Sequence, residues 1–188
     1  IGESAHGYDR RGVTRDEILE SVQHALEGDV DDDFYREFVE TMEKAQSILY
    51  VGDNSGEIVF DSVLVEHLPL EKVRFAVRGR PIINDATRVD AETAGIDRLV
   101  TVIDTGDNTP GVNLERSSGE FIDAFRNADM IIFKGQGNLE TMYNEDLSGY
   151  VKAGAKLFFI LKVKCTYVSQ SIGKDIGDTV FMVRDGNG

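Results

Sequence analysis

From Ser47 onward the chain follows one repeating pattern: a short, mainly apolar run, a polar loop, then a stretch with helical periodicity. The apolar runs are ILYV (48–51), VRFAV (73–77), LVTVI (99–103), MIIF (130–133), LFFIL (157–161) and TVFMV (179–183). Helical stretches fall between them at 57–68, 86–94, 117–127 and 166–172, and a polar stretch follows 133. Short apolar runs of this kind read as strands, and their alternation with helices implies crossover connections. The expected fold is therefore α/β, with a mostly parallel, doubly wound sheet sandwiched by helices.

Ahead of this region, residues 1–13 read as loop. Thr14 and Glu17 form a capping-box pattern that opens a helix with an apolar stripe at Ile18, Leu19, Val22 and Leu26, and Gly28 ends it. Asp31 to Asp33 open a second helix carrying Phe34, Phe38, Val39 and Met42, where acidic residues suit the helix dipole. No Pro-, Gly- or Ser-rich linker divides the chain, and 188 residues suit one domain. The expectation is a single domain over 1–188, with a loop and two helices in 1–46 and the α/β core in 47–188. The chain starts at Ile1 without a methionine, so it is expected to be a piece of something longer.

Charge narrows the function. Twenty basic residues against 34 acidic ones leave a net charge of −14, with an isoelectric point near 4.6. A phosphate-backbone binder needs a basic face, so nucleic acid is excluded as a partner. No apolar run approaches the roughly 18 residues that span a bilayer, which argues against a membrane. The single cysteine, Cys165, forms no internal disulfide, and a cytoplasmic location is expected. The sequence carries no signal for oligomeric state.

In a parallel sheet the loops after each strand open on one edge, where sites are built. Those loops are GDNSGEIVFD (52–61), RGRPIINDAT (78–87), DTGDNTPG (104–111), KGQGN (134–138) and KVKC (162–165). Asp53, Asn54, Asp85, Lys134, Asn138 and Lys162 can therefore converge although they are scattered along the chain. Asp53, Asn54 and Asp85 offer hard oxygen donors suited to magnesium or manganese; the alternative is that each caps the helix behind it. Glu57 and Asp61 lie one turn apart on a helix that is apolar nearly all round, which marks it as buried. They either support a cation beside Asp53 or face solvent and favour the helix dipole.

Lys134 followed by Gly135, Gln136, Gly137 and Asn138 can cradle an anion, through backbone N–H groups and the lysine's charge, or can be an ordinary strand-to-helix turn. Lys162 and Lys164 alternate at the end of a strand, one expected to face the site. His6, His24 and His67 show no ligand spacing, and Cys165 is expected to be buried and inert. Asp104, Asp107 and Asn108 flank a Pro-Gly turn that either covers the pocket or is turn chemistry alone.

Taken in order, GDNSGEIVFD, RGRPIINDAT, DTGDNTPG, KGQGNLE and LKVKC resemble the metal-dependent damage-control phosphatases. That family was once catalogued as domain of unknown function eighty-nine and is also called acidic-residue-methyltransferase-like. The resemblance covers 48–185 closely and 1–47 loosely. It implies a Rossmann-like core with a helical portion, and divalent-metal-dependent hydrolysis of small phosphorylated metabolites such as sugar phosphates. It assigns Asp53, Asn54 and Asp85 as ligands of one divalent cation (Mn, Mg, Co or Ni), Lys134 to the substrate phosphate and Asn138 to the conserved block. The family normally has a longer N-terminal helical region, and related members carry N-terminal cysteines that this chain lacks.

The expected function is thus a phosphomonoester hydrolase of damage-control type. Asp53, Asn54, Glu57 and Lys134 are its catalytic set, with Glu57 orienting a water and Asp61 the second choice. Lys134, Gly135, Gly137, Asn138 and Lys162 bind the phosphate. One alternative is a non-catalytic metal- or phosphometabolite-binding module. Another is an S-adenosylmethionine-dependent carboxyl methyltransferase, which needs a glycine-rich loop that GDNSGE supplies only in part.

Overall fold

A computed structural model describes residues 30–186. The expected helix from Thr14, along with His6 and His24, lies outside the described residues. The elements run α1 (Asp32–Lys44), β1 (Ile48–Val51), α2 (Ile58–Glu66), β2 (Val73–Val77), α3 (Arg88–Ala94), β3 (Thr101–Asp104) and α4 (Gly119–Asn127). They continue with β4 (Met130–Lys134), α5 (Gln136–Met142), β5 (Lys156–Lys162), α6 (Thr166–Ile172) and β6 (Thr179–Asp185).

The six strands form one sheet in the order β3-β2-β1-β4-β5-β6. The first five are parallel, and β6 returns antiparallel to β5. The chain winds outward from β1 through β2 to β3, then crosses back to lay β4 on the other side of β1. The topology therefore reverses between β1 and β4, where open α/β sheets leave a crevice at the strand C-terminal ends.

The period-two alternation of side chains divides the core. Leu49 and Val51 face Phe121 and Phe125 of α4, Leu139 and Met142 of α5 and Val168 of α6. Ile48 and Tyr50 face Phe34 and Phe38 of α1, Ile58 and Val65 of α2 and Ala91 of α3. Helices thus cover both faces of a mostly parallel sheet, as the alternation predicts.

Local differences have local causes. Leu99 and Val100 precede β3 instead of starting it, because a 3-10 turn at Ile96–Arg98 draws the Val100 N–H to the Ile96 carbonyl. Helix α3 starts at Arg88, after Thr87 closes a capping box with Asp90. The polar stretch after β4 becomes α5, which its two glycines had hidden. Helix α2 is not buried all round: Ile58, Asp61 and Val65 face inward, whereas Val59, Phe60 and Val63 are exposed. The acidic run at α1 is a cap, with the Asp31 side chain accepting the Phe34 N–H at 2.9 Å. Among the described residues no helix is long and apolar enough to cross a membrane.

Candidate functional site at the β1–β4 crevice

The loops after β1 and β2 are zipped together by their backbones. The Ser55 N–H donates to Asn84 O at 2.9 Å, the Ala86 N–H donates to Asp53 O at 2.7 Å, and Asn54 pairs with Asp85 as an isolated antiparallel bridge. Asp53, Asn54 and Asp85 are thereby held side by side. None of the three is a helix cap: Glu57 stands at the N-cap of α2 with no side-chain bond, and Thr87 caps α3. Ile83, two residues before Asp85, takes a left-handed φ of 49°. That conformation is strained for a β-branched residue.

Arg78 lies beneath these residues. It ends the loop side of β2 and is 1% exposed. Its Nε donates to Asp85 Oδ2 at 2.7 Å and its Nη2 to Asn138 Oδ1 at 2.9 Å. Nη2 also lies 3.8 Å from Asp53 Oδ1. Asn54 Nδ2 donates to Asp53 Oδ2 at 2.9 Å. Burial pushes the Asp53 carboxyl up to about 6, helped by the charges of Asp85 and Glu57 and opposed by Arg78 and Lys164. Gly135 presses against this carboxylate, where a Cβ would collide with it.

A second charged group adjoins the first. Lys134, at the end of β4, donates from Nζ to Glu57 Oε1 at 2.7 Å and to Asp61 Oδ1 at 2.5 Å. Burial favours neutral lysine, but the charges of Asp61 and Glu57 outweigh it and raise the Lys134 pKa. Burial raises the Asp61 pKa against the pull of Lys134 and of the neighbouring Tyr50 hydroxyl, whose own pKa burial and the Asp61 charge push well up. Glu57 and Asp61 therefore serve the lysine directly, and Glu57 Oε2 reaches Asn54 Nδ2 at 3.5 Å.

The glycine turn is partly committed elsewhere. The Gly135 N–H donates to Ile160 O at 3.0 Å, so it takes no part in an anion cradle. Gly137 lies in the first turn of α5, where N–H groups lack intrahelical acceptors. Asn138 is fully buried: Oδ1 accepts from Arg78, and Nδ2 donates to Gly52 O at 3.2 Å and to Lys134 O at 2.6 Å. Its amide is saturated by protein, so the expected phosphate contact is replaced by a bracing one.

Lys162 and Lys164 are both exposed. Lys162 pairs with Thr179 at the β5–β6 end, whereas the charge of Lys164 reaches Asp53. Of the two, Lys164 is the lysine whose charge lowers the Asp53 pKa. Cys165 is only partly buried, and its Sγ accepts from Gln136 Nε2 at 3.2 Å. In the DTGDNTPG loop, Asp107 is held by Arg116 at 2.8 Å and by Thr109, and hydrogen bonds from Thr109 keep its pKa low. Its side chain serves the turn.

Among the described residues no three His, Cys, Asp or Glu side chains are gathered closely enough to hold an ion by themselves. A cation here needs the Asn54 amide oxygen beside the two carboxylates. That donor set is all hard oxygen, and the backbone bridge holds the three residues side by side, so they fit a divalent cation. Sequence reading missed Arg78 and chose Lys162 over Lys164. The available signal for Arg78 was an arginine closing the apolar run VRFAV. For Lys164, β5 ends before it, so the strand alternation does not apply.

Oxygen donors and a buried lysine at the reversal point of a doubly wound sheet define a Rossmann-like α/β protein with a charged crevice at its strand C-terminal ends. Residues 7–180 match the ARMT1-like domain of damage-control phosphatases, and the chain belongs to that family. It is 38% identical over 174 residues to damage-control phosphatase PH1575 of Pyrococcus horikoshii, covering 91% of this chain and 58% of that protein. It is 39% identical over 172 residues to uncharacterized protein MJ0202 of Methanocaldococcus jannaschii, covering 89% of this chain and 55% of that one. The crystal structure of PH1575, a duf89 family protein, superposes with a TM-score of 0.77 at 38% identity, covering 91% of this chain and 59% of that one. The chain thus spans little more than half the length of these relatives.

Proposed function

We propose that this chain carries the catalytic core of a divalent-metal-dependent phosphatase acting on small phosphorylated metabolites, sugar phosphates among them. The observation that carries the reading is the Asn54–Asp85 bridge, which sets two carboxylates and an amide beside a buried lysine at the reversal point of the sheet. Family membership and the names of the relatives support it.

In this reading Asp53, Asn54 and Asp85 hold one Mn, Mg, Co or Ni ion. A bound divalent ion supplies Lewis-acid polarisation of a phosphoryl oxygen and lowers the pKa of water. Lys134, kept cationic by Glu57 and Asp61, stands where negative charge develops on the phosphoryl group, and Lys164 adds positive charge near Asp53. The first-turn N–H of Gly137 is a further donor. Glu57 spans Lys134 and Asn54 and is placed to orient an attacking water by accepting its proton.

One observation favours the binding-module alternative: in this structure Lys134 spends two of its three N–H groups on Glu57 and Asp61. Hydrolysis of p-nitrophenyl phosphate and a sugar-phosphate panel decides between them, using metal-stripped protein restored with each ion and Asp53→Ala as control. Metal-dependent turnover lost in Asp53→Ala supports the phosphatase. Metal binding without turnover supports the module, and S-adenosylmethionine binding that survives chelation supports the methyltransferase.

A further inference from the structure

We infer that Arg78, braced by Asn138, is the positioning residue that holds Asp85 in register with Asp53 for the cation. The inference rests on the cation reading above and goes beyond it by naming what sets the spacing of the ligands. Arg78 engages Oδ2 of Asp85 through Nε at 2.7 Å, leaving Oδ1 outside that pair. Through Nη2 it grips Asn138, whose own amide donates to the carbonyls of Gly52 and Lys134. Those carbonyls belong to the residue before Asp53 and to the lysine of the site. One buried guanidinium and one buried amide therefore tie together the loop starts after β1, β2 and β4.

Stability does not account for this arrangement. A buried guanidinium carries a desolvation penalty of several kcal/mol, on the order of what its ion pair returns. Nη1 of Arg78 is in addition buried without a partner, a further cost. An apolar side chain would fill the space more cheaply. What it would lack is direction: the planar guanidinium presents its donors at fixed angles, so Asp85 and Asn138 are oriented together. The 3.8 Å separation from Asp53 Oδ1 is too long for a hydrogen bond, so Arg78 attracts that carboxylate without tying it down.

The test is Mn(II) affinity, read from the spin-resonance signal of the free ion with the metal-stripped protein, its folding verified by thermal melts. Arg78→Lys keeps the charge and removes the fork. It is expected to weaken Mn(II) binding about tenfold or more, the usual effect of removing a residue that orients a ligand. In an Asp85→Ala background, which removes the acceptor, the same change is expected to alter affinity by less than about twofold, because the residue acts through Asp85. Equal losses in both backgrounds, or no loss in either, overturn the inference and leave the cation reading intact. Absence of Mn(II) binding by the wild-type chain overturns both. If Asp85→Ala binds too weakly to measure, the Arg78 Nε–H resonance is followed during Mg(II) titration of the wild type. A shift of that resonance supports the inference, and an unchanged resonance at saturating Mg(II) overturns it.

Discussion

At the edge where the strands begin, Asp129 accepts Lys152 and the backbone N–H groups of Gln46 and Ser47, and Lys156 sits between Glu37 and Asp185. These groups line or border an open cavity of about 620 Å³ to which water has access. At the edge where the strands end, Asp53, Asp61, Arg78 and Lys134 are all buried, and Nη1 of Arg78 has no hydrogen-bond partner. The residue types are the same, yet the energetics are opposite. Exposed pairs cost little and contribute little, whereas buried charges carry a desolvation cost that their pairing has to repay. Burial of charge, and not its abundance in an acidic chain, marks the site.

The largest contrast should come from deleting one lysine at each edge. Lys134→Met leaves Glu57 and Asp61 without their cation and is expected to destabilise the fold by about 3–5 kcal/mol. Lys152→Met should cost within about 1 kcal/mol. Urea unfolding of both variants measures this, and similar losses would break the comparison.

The two edges should also respond to pH with opposite signs. Asp53 is raised from 3.8 to about 6, so the folded state binds the extra proton and stability falls as pH rises through that window. Asp129 is lowered: burial works against the shift, but hydrogen bonds from Lys152 and from Gln46 and Ser47 outweigh it, so its contribution is lost as pH falls. Asp53→Asn should stabilise the metal-stripped protein above pH 6 by about 2 kcal/mol while abolishing Mn(II) binding, and Asp129→Asn should destabilise it. Thermal melts between pH 4 and pH 8 provide the readout.

Glycines sharpen the comparison further. Gly135→Ala drives a methyl group into the Asp53 carboxylate and should weaken Mn(II) binding about tenfold. Gly154→Ala, at the other edge, meets nothing within 4 Å. It should cost about 1 kcal/mol for its left-handed backbone and leave ion binding unchanged. The smallest effect belongs to the strand-end lysines: Lys164→Gln should raise the Asp53 pKa further, and Lys162→Gln should leave it alone, as followed by carboxyl-carbon NMR titration.

Much of this was legible from residues alone. The apolar runs located every strand, because a sheet covered by helices needs mainly apolar strands. The loops at their ends located Asp53, Asn54, Asp85 and Lys134, because parallel strands send those loops to one edge. Side-chain roles were less legible. Asn138 and Lys134 sit in one glycine-rich motif, yet one is saturated by protein and the other clamped by two carboxylates. Helix α2 is rich in apolar residues all round, but only one face meets the sheet.

The class of fold, the order of strands and helices, and the set of loops that share an edge were determined by the sequence, because each follows from local periodicity and the geometry of parallel crossovers. Which side chains hold one another was decided by tertiary structure. Arg78 meets Asn138 across 60 residues and Lys134 meets Glu57 across 77. Such partners are chosen by the register in which crossovers dock and by which charges are sealed from water, and no local pattern encodes either.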